Sequence, residues 1–83
     1  MKINNINSVF ELILTSYTAG VTTTSTARLV KHTTSQWPNI QKDCEVLSEV
    51  YDIAIQARAG LNEEVYKFVK RVLASLENLY QNQ

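Results

Sequence analysis

The sequence predicts an all-α protein, a small antiparallel bundle of three to four helices built on a C-terminal αα-hairpin. Two observations favour this fold class: apolar residues recur at three- and four-residue spacing, and the 83 residues include only two Gly and one Pro. A third is that just three residues separate the two longest periodic stretches. The chain length fits one domain, and we assign residues 1–83 to a single helical domain.

The first helix is predicted over residues 8–19. Ser8 and Glu11 form a capping-box pattern, in which the Ser hydroxyl and the Glu carboxylate each satisfy a backbone N–H at the start of a helix. Apolar residues then follow with helical periodicity, and Gly20 is suited to the left-handed conformation that ends many helices.

The next segment is unusual, because all eight threonines of the chain lie between residues 15 and 34. Threonine is β-branched and a mediocre helix former, so local propensity gives little guidance. We predict a short helix over 24–33, because Ala27 to Lys31 favour helix over strand alternation. A strand or hairpin over 21–24 is the alternative.

The third and fourth predicted helices span residues 38–59 and 63–80. Pro38 suits the first turn of the third helix, and an apolar stripe with a polar opposite face follows it. Asn62 is a good N-cap for the fourth helix, whose first turn holds Glu63 and Glu64. A connection over 60–62 is so short that the two helices must fold back antiparallel.

The formal net charge is zero, but the charges are unevenly distributed. Residues 1–41 sum to +2, residues 42–64 to −4 and residues 65–83 to +2. The negative charge includes Glu45, Glu49 and Asp52, which share one face of the predicted third helix. The chain as a whole therefore lacks the basic excess that is typical of proteins binding nucleic acid or anionic membranes.

The sequence argues against catalysis and against a bound cofactor or metal. His32 is the only histidine and Cys44 the only cysteine, so they cannot anchor a three- or four-ligand metal site within one chain. No glycine-rich phosphate loop is present, because the two glycines stand at positions 20 and 60. No segment approaches the roughly 20 apolar residues that span a bilayer. We expect a cytoplasmic, non-enzymatic protein without a membrane contact.

The function class that remains is a small binding protein, such as an inhibitor, an immunity factor, a chaperone or a regulatory adaptor. We expect a protein partner, with a homodimer as an open alternative. The expected contact residues are the acidic stripe and two aromatic side chains: Glu45, Glu49, Asp52, Trp37 and Tyr66. Tyr66, Leu73 and Tyr80 form an apolar flank, which is either core or interface.

The alternative function is a helix-turn-helix DNA-binding regulator that reads DNA with the segment Thr22–Lys31. Residues 19–21 would form the turn, and Thr23, Arg28 and Lys31 would contact phosphates or base edges. Two features oppose this interpretation: Thr26 stands where the motif expects a buried apolar residue, and the third helix is acidic.

Overall fold

The structure is a computed structural model that describes residues 6–35, 49, 52, 56 and 63–81. Three helices are fully described: α1 (Ile6–Thr18), α2 (Thr23–Thr33) and α3 (Glu63–Gln81). The described part of the chain contains no strand, which confirms the all-α prediction for these residues. The connection at 60–62 and most of the predicted 38–59 helix lie outside the described residues, although Glu49, Asp52 and Gln56 are helical.

The start of α1 differs from the prediction, and its end follows it closely. The helix begins at Ile6, so Ser8 lies inside the first turn and cannot be the N-cap, which requires a non-helical backbone. The capping-box prediction is therefore wrong. At the other end Gly20 has φ 78°. Its N–H donates to the Tyr17 carbonyl at 3.1 Å, and the Val21 N–H donates to the Ser16 carbonyl at 3.0 Å, which together form a Schellman motif.

The threonine-rich segment forms α2, which confirms the predicted helix and excludes the strand alternative over 21–24. Thr22 is the N-cap, and its side chain accepts a hydrogen bond from the Ser25 N–H at 3.2 Å. Thr26 and Thr33 donate their hydroxyl protons to carbonyls four residues earlier, at 2.7 Å and 3.0 Å. These internal bonds satisfy the hydroxyls, so threonine can occupy buried helical positions here.

The core lies where α2 meets α3, and α1 contacts both helices. It consists of buried side chains from all three helices: Val9, Ile13, Ala27, Val30, Val69, Val72, Leu73, Leu76 and Tyr80. An edge-to-face contact between the Tyr17 and Phe68 rings, with centroids 5.2 Å apart, joins α1 to α3. The apolar flank of α3 is thus largely core, because Leu73 and Tyr80 are buried and Tyr66 is half-buried.

A buried hydrogen bond fixes the end of α2 on α3. Thr34 Oγ1 lies 2.7 Å from the Val30 carbonyl and 3.1 Å from the Tyr80 hydroxyl. A carbonyl only accepts, so the single hydroxyl proton of Thr34 goes to Val30 and the Tyr80 O–H donates to Thr34. Thr34 is fully buried, and the pair supplies the polar partner that a buried tyrosine requires.

Candidate functional site

The acidic stripe is described at two of its three positions. Glu49 and Asp52 are helical and exposed, and Gln56, four residues further on, is helical and exposed as well. This spacing places the three side chains on one side of a helix. Glu45 and Trp37 lie outside the described residues, so the structure brings together Glu49 and Asp52 alone from the predicted contact set.

Tyr66 is positioned differently from an exposed binding anchor. Its side chain is half-buried on α3, and the Lys70 ammonium lies 5.8 Å from the centre of its ring. That distance fits a cation–π interaction, which covers part of the ring with a side chain of the same helix. Tyr66 therefore offers a partner less aromatic surface than the sequence pattern indicates.

The exposed charges include an acidic pair and a basic cluster. Glu49 and Asp52 present negative charge, whereas Lys67, Lys70 and Arg71 are exposed within about one turn of α3 and present positive charge, after the exposed Glu63 and Glu64 at the start of that helix. In α2, Arg28 is exposed and no acidic residue is present. Exposed ion pairs contribute little to folding stability, so such an arrangement has its larger effect on how a charged partner approaches and orients.

The residues predicted for DNA contact do not share one face of α2. Arg28 is exposed and Lys31 is half-buried, but Thr23 is half-buried and lies five residues before Arg28, which turns it well away. Thr24 is exposed and stands four residues before Arg28 and seven before Lys31, so these three side chains lie along one side. The sequence pattern missed Thr24, which the helical register could have identified.

The position of Thr26 removes one of the two objections to the helix-turn-helix interpretation. Thr26 is fully buried, and its hydroxyl donates to the Thr22 carbonyl at 2.7 Å. It therefore fills the position at which the motif expects a buried side chain. The turn between α1 and α2 also contains the glycine, at φ 78°, that such a connection commonly uses.

The described residues show no cluster of metal ligands. Among them, no group of three or more His, Cys, Asp or Glu side chains is placed to hold a metal ion. His32 is exposed in the last turn of α2. Burial raises the pKa of the Tyr80 phenol above its usual value, so this hydroxyl stays protonated at neutral pH. None of the described helices combines the length and the apolar character of a membrane-spanning segment.

No known protein family, curated protein or solved structure matches this chain. Evidence for function therefore comes from the surface of the molecule itself.

Proposed function

We propose that this chain is a small non-enzymatic binding protein, of the inhibitor, immunity, chaperone or regulatory adaptor type, that acts on a protein partner. Its mechanism is occlusion or scaffolding by a helix face. The observation that carries the proposal is the exposed acidic pair Glu49 and Asp52 on one helical side, together with the exposed basic cluster Lys67, Lys70 and Arg71 on α3. A two-signed surface steers a complementary partner and fixes its orientation.

The acidic side is the primary contact in this proposal. Carboxylates at positions 49 and 52 are exposed, three residues apart, and therefore able to meet basic groups of one partner surface together. The exposed side chains of the uncharged segment 12–27 are inexpensive to desolvate compared with charged side chains, which suits a second area of protein contact.

Photo-crosslinking in the native host tests this proposal. The photoreactive residue p-benzoylphenylalanine replaces Gln56, which is exposed beside the acidic residues without being one of them. We expect one defined protein to be captured, and capture to be lost when Glu49→Lys and Asp52→Lys are added. A probe at Asn7, which is exposed on α1 outside both proposed contact areas, is the matched control. Equal capture from both positions, or capture that survives the charge reversal, contradicts the proposal.

A helix-turn-helix DNA-binding regulator is the second candidate, favoured by the buried Thr26 and by the turn at Gly20. In this candidate Arg28 and Lys31 contact phosphates, so duplex DNA should bind at low salt and dissociate as salt rises. A gel-shift assay with wild type and with Arg28→Ala plus Lys31→Ala tests it. An absent shift at low salt, or a shift unchanged by the double substitution, rules this candidate out.

A homodimer is a separate arrangement that the binding proposal leaves open. Multi-angle light scattering over a range of protein concentrations distinguishes it from a monomer. A molar mass of one chain at every concentration excludes self-association.

A further inference from the structure

Two open grooves lie along α3, one beside α1 and the other beside α2. The first has a volume of about 340 Å³ and is lined by Tyr17, Glu64, Lys67, Phe68 and Arg71. The second has a volume of about 210 Å³ and is lined by Thr24, Arg28, Ser75, Asn78 and Leu79.

Both grooves open at the same edge of α3. Phe68 and Arg71 line the first, and Ser75 and Asn78 line the second. The successive spacings of three, four and three residues place all four side chains on one side of the helix. At a rise of 1.5 Å per residue they extend over about 15 Å. We call this edge of α3, with its two grooves, the basic seam.

The basic seam combines positive charge, hydrogen-bond donors and apolar surface. Arg28, Lys67 and Arg71 contribute three cations, and all three are exposed, whereas Glu64 is the one acidic residue among the lining side chains. Neutral hydrogen-bonding groups come from Thr24, Ser75 and Asn78 in the second groove. The half-buried side chains of Phe68 and Leu79 provide apolar area, one in each groove.

These properties favour a peptide over a nucleic acid. A uniformly charged phosphate backbone would meet the Glu64 carboxylate at one end of the basic seam, whereas a peptide can place a neutral or basic residue there. The Tyr17 and Phe68 rings already pack edge to face, which reduces the ring surface available for base stacking. About five residues of extended chain span 15 Å, at roughly 3.3 Å per residue.

We propose that the basic seam binds an acidic, extended segment of a protein, with carboxylates on Arg28 and Arg71 and apolar side chains against Phe68 and Leu79. This inference rests on the proposed binding function and adds a second surface, which takes the opposite charge from the Glu49–Asp52 side. Arginine suits this role because its planar guanidinium can bind a carboxylate through two parallel hydrogen bonds.

A designed peptide tests the inference directly. The probe is a fluorescein-labelled twelve-residue peptide with the repeat Glu-Leu-Glu-Ser, compared with the same repeat carrying Lys in place of Glu and with a twelve-nucleotide oligothymidylate. Fluorescence anisotropy at low salt gives the affinities, and amide chemical-shift changes in the ¹⁵N-labelled protein map the contact. We expect the acidic peptide to bind, with shifts concentrated in α2 and α3 along the basic seam.

A matched pair of charge reversals provides the specificity control. Arg71→Glu and Lys70→Glu make the same change in charge at adjacent exposed residues, but Lys70 lies toward Tyr66 and outside both grooves. We expect Arg71→Glu and Arg28→Glu each to weaken the acidic peptide about tenfold, which corresponds to about 1.4 kcal/mol, and Lys70→Glu to weaken it less than about twofold. Circular dichroism checks that each variant is folded.

Three results would overturn the inference. They are an absence of binding by the acidic peptide, equal weakening by Lys70→Glu and Arg71→Glu, and tighter binding of the oligothymidylate than of the acidic peptide. The crosslinking experiment at position 56 is independent of this one. A captured partner together with an inert peptide refutes only the basic seam, whereas peptide binding without a captured partner refutes only the proposed contact through the acidic side.

Discussion

The buried hydrogen bond between Thr34 and Tyr80 predicts how much stability each partner's substitution removes and which of the two removes more. Tyr80→Phe removes the donor, while the Thr34 hydroxyl keeps its bond to the Val30 carbonyl at 2.7 Å. No buried polar group loses its partner, so we expect the free energy of unfolding to fall by about 0.5–1.5 kcal/mol, the usual net contribution of one hydrogen bond.

Thr34→Val has a different consequence. The Val30 carbonyl still accepts from the Thr34 N–H at 3.0 Å and from Thr33 Oγ1 at 3.1 Å, so it stays satisfied. The Tyr80 hydroxyl, however, loses its acceptor in a side chain that is only 7% exposed. An orphaned buried donor costs about 1–3 kcal/mol, so this variant should be the less stable of the two.

The double variant separates this reasoning from simple loss of contacts. Tyr80→Phe removes the orphaned donor that Thr34→Val creates, so the double variant should be more stable than Thr34→Val alone. Urea denaturation followed by circular dichroism measures the three free energies of unfolding, and thermal midpoints should differ by about 4–8 °C per kcal/mol in a domain of this size. A double variant that is less stable than Thr34→Val would refute the assigned direction of the hydrogen bond.

Three further predictions follow from the core, the turn and the buried phenol. Gly20→Ala should lower the free energy of unfolding by about 1–2 kcal/mol, because φ 78° strains an L-residue although no atom lies within 4 Å of the added methyl. The D-alanine variant, made by chemical synthesis, should be at least as stable as wild type. Equal losses of stability for both variants would contradict the turn geometry. Leu76→Ala should cost about 2–5 kcal/mol in chemical denaturation since Leu76 is fully buried, whereas the exposed control Thr15→Ala should change stability by less than about 0.5 kcal/mol; similar losses would argue against this core. Because burial raises the Tyr80 pKa above 10.0 in the folded state, the folded protein favours the protonated phenol, and stability should be retained below pH 10.0 and lost as pH rises through the folded pKa. Between pH 9 and pH 11 the free energy of unfolding should fall less in Tyr80→Phe than in wild type. An equal fall in the two proteins would contradict the burial of the phenol.

The helix bounds were predictable where capping and periodicity agree. Gly20 ends α1 through backbone geometry that no other residue adopts as readily, and α3 was predicted within one residue because its apolar periodicity is regular. Ser8 misled the prediction, because a capping-box pattern also occurs inside a helix, where Ser and Glu simply occupy the first turns. Local sequence alone does not decide between these two positions.

The role of threonine was the hardest feature to predict. Thr26 and Thr34 are polar by composition but fully buried, because each hydroxyl donates to a carbonyl four residues earlier. Their burial depends on which side of α2 faces α3, which the pattern of the segment alone does not define. For the same reason, the sequence alone does not decide whether Leu73 and Tyr80 belong to the core or to an interface.

Of the two candidate surfaces, one could be predicted from the sequence and the other could not. Exposure of Glu49 and Asp52 follows from helical periodicity, so it could be predicted from the sequence. The basic seam could not be predicted from the sequence, because Arg28 and Arg71 are far apart in the chain. Only the packing of α1 and α2 against α3 places their grooves along one edge of that helix.

Binding of a protein by the exposed acidic side can be measured through the association kinetics of the captured partner. Surface plasmon resonance compares wild type with Glu49→Lys plus Asp52→Lys, and Glu11→Lys on the exposed side of α1 is the matched control. We predict that the double reversal lowers the association rate about tenfold at low salt, that the difference shrinks at high salt, and that Glu11→Lys has little effect. An affinity and an association rate that the double reversal leaves unchanged would contradict the claim.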